Sequence, residues 1–266
     1  MLKGFYSISA GSAAIPAGSP NLIHIDRFGI REIDGVGRPQ ADMYTTELVG
    51  ADASVYSGQT VKNRTITLSV DAQNEYAARE LYRQFPYNTR RRFVFETEYD
   101  TYFIEGIAKG MPRTQGTSRR SEFEIPIFCP YPWFRSLRAH EVSAPYGTSF
   151  SARQAGDIRA GIVAYAEMAA SGKLRTFELS DNVGNAVSYR SSSYYQHVGT
   201  KGYVRLVDTT PGAHGFMSAK AIQDITLTND WVTVPPAEKG ITITATYNTS
   251  ETPNGKFVWY DTWGGI

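Results

Sequence analysis

Cysteine is nearly missing from this chain. The single Cys129 in 266 residues excludes an internal disulfide framework, and its place on one face of an alternating strand suits a small buried apolar side chain. Histidine is scarce as well. His24, His140, His197 and His214 stand far apart with no pair at metal-ligand spacing, so no metal site is expected. Neither sign of charge dominates: 27 Lys+Arg face 26 Asp+Glu, with +2 over residues 1–138 and −1 over 139–266. Neither half is therefore built to attract nucleic acid. No run approaches the roughly 18 apolar residues of a membrane span. The small-residue N-terminus is interrupted by Gly4, Ser7, Ser9 and Gly11 and does not read as a secretory leader. Gly-x-Ser-x-Gly, Walker and Gly-x-Gly-x-x-Gly patterns are missing, since Gly35-Val36-Gly37 lacks the third glycine; no cofactor and no catalytic residue are expected. A glycosidase would need two converging carboxylates. The cluster Glu96, Glu98 and Asp100 reads instead as a solvated hairpin tip.

What the chain does have is alternation. Phe123, Ile125, Ile127 and Cys129 share one face of a strand, Glu122 and Glu124 the other, which is the period of a half-buried strand. Pro130 and Pro132 follow at once and cannot continue a ladder. This stretch reads as the seam between two domains, the expectation for a chain of this length. Residues 1–20, rich in Gly, Ala, Ser and Pro, suit a flexible arm. A first domain is expected over 21–135, a linker over 136–150 and a second domain over 151–266. In the first, a strand near 21–33 closes at Gly35, Gly37 and Pro39 and gives way to an irregular loop through Gly50. A strand over 62–70 follows, then a helix capped by Asp71, burying Tyr76, Ala77, Leu81, Tyr82 and Phe85 and stopped by Pro86. A hairpin over 91–111 turns at Glu98-Tyr99-Asp100. In the second domain every segment reads as a short strand, with a turn at 181–185, which favours an antiparallel sandwich or jelly roll. The fold class is mainly β: a sandwich-like N-terminal domain with one helix and a long hairpin, then a β-sandwich.

Arg90, Arg91 and Arg92 invite a phosphate-binding reading, but near-zero net charge favours carboxylate partners at an edge or subunit contact, and they are candidate contact residues. Trp259 and Trp263, with Tyr194 and Tyr195, would suit stacking on glycans or anchoring a partner. Core packing is the competing fate for each.

Several short motifs, in order, resemble the distal tail protein (Dit) family of siphophages. They are Arg64-x-Ile-x-Leu68, the helical Arg79-Glu80-Leu81, Phe128-Cys129-Pro130-Tyr131-Pro132-Trp133-Phe134, Ala155-Gly156-Asp157, Trp231 to Pro236 before Gly240-Ile241-Thr242-Ile243, and Phe257 to Ile266. An immediate Pro-Gly after Pro235-Pro236 is missing, a departure from the family's turn. The resemblance implies a hexameric ring of N-terminal domains at the tip of the tail tube, assembled in the host cytoplasm, with a galectin-like sandwich facing outward. Implied partners are other copies of the chain, the major tail tube protein, the tail-tip hub protein and receptor-binding proteins, with no nucleic acid and no membrane. The alternative is a carbohydrate-binding sandwich recognising cell-envelope glycans.

Overall fold

The structure, a computed structural model, describes residues 4–9, 23–24, 28–47, 54–86, 88–116, 120–145, 147–196, 200–210, 215–216, 225–237, 240–249 and 254–266. They fall into two units, Met1–Leu137 with Gly264–Ile266, and Arg138–Trp263. The chain crosses between units twice, at 137/138 and 263/264.

The first unit holds β1 (Gly4–Ser9), β2 (Ile23–His24), β3 (Ile30–Asp34), β4 (Ala41–Glu47), β5 (Ser54–Val61), β6 (Arg64–Ala72), α1 (Glu75–Gln84), β7 (Arg90–Glu96), β8 (Thr101–Ala108), β9 (Arg113–Gly116), β10 (Ser121–Cys129) and the start of β11 (Phe134–Pro145). Antiparallel pairing gives the order β2-β1-β7-β8-β10-β6-β3, with β9 on β10 and the start of β11 on β8. The central pair is β10 with β6: Ile127 faces Ile66, Ile125 Leu68 and Phe123 Val70, all fully or almost fully buried. Alternation in two sequence-distant strands thus places two apolar rows on one side. Each such side chain contributes about 1.5–3 kcal/mol of burial. Beside them Phe95 sits 4.6 Å from Phe5 and meets Phe134 edge-on at 5.4 Å, the geometry that the ring quadrupole favours.

Three expectations are corrected in this unit. Residues 4–9, assigned to a flexible arm, form β1, paired with β7 along its whole length and burying Phe5 and Tyr6; the remainder of that arm through residue 20 lies outside the described residues. Asp71 does not cap the helix, because β6 continues to Ala72. The cap is Asn74, whose Oδ1 accepts the Ala77 amide at 2.8 Å, and α1 buries Ala78 and Leu81, with Phe85 buried at its C-cap, while Tyr76 and Tyr82 remain exposed. The supposed loop through Gly50 contains β4, which pairs with β5 beyond it as a two-stranded sheet of its own. Gly35 closes β3 at φ +82°, where a Cβ would lie 2.3 Å from the Thr65 carbonyl; only glycine suits that turn.

The second unit continues β11 and adds β12 (Ser149–Ala152), β13 (Ala160–Met168), β14 (Lys173–Asp181), β15 (Ala186–Gln196), β16 (Gly202–Asp208), β17 (Gly215–Phe216), β18 (Ile225–Thr228), β19 (Thr233–Val234), β20 (Ile241–Thr249) and β21 (Asn254–Trp263). The range 136–150, expected as a linker, is mostly strand. One sheet runs β12-β20-β14-β15-β18; the other places β16, β13 and β21 side by side. Their inward rows form one core, including Ile162, Ala164, Leu174, Phe177, Ile243 and Trp259, as the sandwich reading anticipates. Gly156 permits a close crossing: a Cβ there would lie 2.1 Å from the Thr262 carbonyl. Gln154 locks this crossing, accepting the Thr262 amide at 2.9 Å and donating to the Ile158 and Val234 carbonyls.

Candidate functional site

The first unit carries an open strand edge. Among the described strands β3 pairs only with β6, so its other side presents backbone donors and acceptors. Beside it is a groove of about 800 Å³ whose walls include Phe5, Ile30, Ile33, Phe95 and Tyr102. Arg31 marks its rim, bonded to Asp71 at 2.7 Å and to Glu122, while Asp71 also takes Arg120. Burial alone would raise the Asp71 carboxyl, but those guanidiniums outweigh it and hold it below the usual carboxylate range. On the β4–β5 hairpin Met43 is 71% and Tyr44 52% exposed. An apolar groove with an open edge, and a hairpin with exposed apolar side chains, are two different patches on one unit.

The candidate contact arginines divide. Arg91 and Arg92, expected at an edge or subunit contact, are buried within the unit. The Arg91 Nε donates to Ser7 Oγ at 3.0 Å. Arg92 bonds Glu105 at 3.2 Å and lies 4.1 Å above the Phe103 ring. Arg90, half-exposed, also reaches Glu105 at 2.7 Å, and Arg135 joins at 3.5 Å. Burial pushes the Glu105 carboxyl up, but Arg135, Arg90 and Arg92 together hold it below its ordinary value. The cations thus meet a carboxylate of the same sheet. Arg90 alone of the three retains a substantial exposed side chain.

The candidate glycan residues are also dispersed. Trp259 is buried in the second core, its indole N–H donating to the Arg153 carbonyl at 2.8 Å and its ring stacked on His140, so it cannot present a face to a sugar. Trp263 is half-buried at the end of β21. Tyr194 and Tyr195 lie on β15, but their side chains lie outside the described residues. Among the described residues no group of three or more His, Cys, Asp or Glu could hold a metal ion. No described helix is long and apolar enough to cross a membrane.

The sequence matches no family model, and no curated protein matches it. Solved structures do match. The fold is one shared with a phage protein of known structure. The particular likeness is to the SPP1 Dit protein (gp 19.1), described as a paradigm of the hub adsorption apparatus in phages infecting Gram-positive bacteria: TM-score 0.58 at 13% identity, covering 98% of this chain and 99% of that one. Chains of the phage p2 baseplate in its activated conformation also align, with strontium and with calcium, each at TM-score 0.48 and 8% identity, over 91% and 92% of this chain and 97% and 98% of theirs. The chain has the Dit fold.

Proposed function

We propose that this chain is a structural component of a siphophage tail tip, its first unit assembling into a hexameric ring that joins the tail tube to the hub and the receptor-binding apparatus. The observation that carries this reading is the SPP1 Dit likeness over 98% of the chain. The two unlike patches of the first unit support it. A ring closed by rotation needs a heterologous interface in which one face of each copy meets a different face of the next, and the β3 edge with its groove and the β4–β5 hairpin satisfy that requirement. The reading requires no reaction, cofactor or metal. Its partners are further copies of the chain, the tail tube protein, the hub protein and a receptor-binding protein, and its location is the virion tail tip after assembly in the host cytoplasm.

Light scattering on the purified chain, with negative-stain imaging, tests this. A discrete six-copy ring with an open centre is the expected result, alone or on added tail tubes. A monomer under every assembly condition would overturn the reading.

A further inference from the structure

We propose that the outward face of the β16-β13-β21 sheet in the second unit is a binding platform for a neutral polysaccharide. The face follows from strand register. Ile162, Ala164 and Ala166 of β13 point into the core, so the alternate residues Val163, Tyr165 and Glu167 point out. Tyr165 lies opposite Arg205 on β16 and Lys256 on β21, and Glu167 lies opposite Tyr203. Tyr260 joins the same face two residues beyond Val258, which pairs with Val163. Three tyrosines therefore share one sheet surface, with Tyr203 50% exposed and Tyr165 and Tyr260 half-buried.

Charge selects the ligand. The charged side chains on this face are already paired, two of them with residues beside it: Lys256 with Glu141 of β11 at 2.9 Å, Glu167 with Lys201 just before β16 at 3.2 Å, and Arg205 with Asp208. A charged partner would have to break those pairs, whereas a neutral sugar needs only flat rings to stack its CH faces and fixed polar groups to meet its hydroxyls. Burial also raises the Tyr165 phenol above its ordinary value, so it remains a neutral donor and acceptor. The outer face of the other sheet differs. Thr176, Ser180, Ser188, Thr244 and Thr246 give it hydroxyls but, among its described side chains, no aromatic ring.

Affinity electrophoresis of the full chain in native gels containing dextran, galactomannan or hydroxyethyl cellulose tests the proposal, with poly(glycerol phosphate) as the anionic comparator. At least one neutral polymer should retard the protein. Tyr203→Ala, outside the core, should weaken that retardation at least tenfold, and Tyr203→Trp should preserve it. Passage through all three neutral gels without retardation, retardation unchanged by Tyr203→Ala, or retention only by poly(glycerol phosphate) that salt abolishes would each overturn it. Copy number measured on the same samples reports separately on the ring, so either proposal can fail while the other stands.

Discussion

Three guanidiniums converge on the Glu105 carboxylate, and the consequence is measurable at that one residue. Replacing Glu105 by Gln leaves Arg92 and Arg135 mostly buried beside a neutral amide, which should destabilise the chain by about 3–5 kcal/mol. Arg90→Met, at the half-exposed arm of the same cluster, should cost no more than about 1 kcal/mol. Denaturant titration separates the two. The pH dependence has a definite sign. Because the folded carboxyl lies below its unfolded value, its contribution is complete above the ordinary glutamate pKa of about 4.3. That contribution is lost as pH falls through the folded value. Melting temperature should therefore drop on acidification below pH about 4, and the drop should be shallower in Glu105→Gln. Cys129 makes a second residue-scale case: burial pushes its thiol up to about 12. Ellman's reagent should find no reactive thiol in the native chain at pH 8 and one per chain in guanidinium; rapid native reaction would contradict its placement.

Among elements, α1 depends on a cap that simple pattern reading misplaces. Asp71 is a good N-cap residue by type, but the β6 ladder extends to Ala72 against Ser121, and Arg31 and Arg120 claim the Asp71 carboxylate. Asn74→Ala should cost about 1 kcal/mol, whereas Gln73→Ala should be within about 0.5 kcal/mol of neutral; thermal melts distinguish them. The β4–β5 hairpin escaped the sequence reading for a different reason. Periodicity reveals a strand only when one face is buried, and Met43 and Tyr44 are both exposed. If the hairpin seats on a neighbouring copy, Met43→Ser with Tyr44→Ser should leave the melting temperature of the isolated chain almost unchanged and disperse the ring in light scattering. The strand Ser121–Cys129 was legible because it repeats the two-residue period over a buried face; in the β7–β8 hairpin only the second half of β8 alternates, while β7 is buried without a break from Arg91 to Phe95.

For the whole molecule, two units with their own buried rows should unfold as two events. Leu68→Ala, in the first unit, should lower one calorimetric transition by about 2–5 kcal/mol and leave the other in place. Gly156→Val, which drives a side chain into the Thr262 backbone, should lower only the second. A single transition that moves with both substitutions would show one cooperative body. Alternation was enough to determine a mainly β chain with, among the described residues, one α-helix, since these depend on neighbours a few residues apart. Which aromatics and arginines face solvent was decided only in three dimensions. Trp259 stacks on His140 from 119 positions earlier, Arg91 binds Ser7 from 84 positions away, and β1 is buried by pairing with β7. Burial is a property of the partner a side chain meets, and that partner is set by long-range strand pairing that no local period encodes.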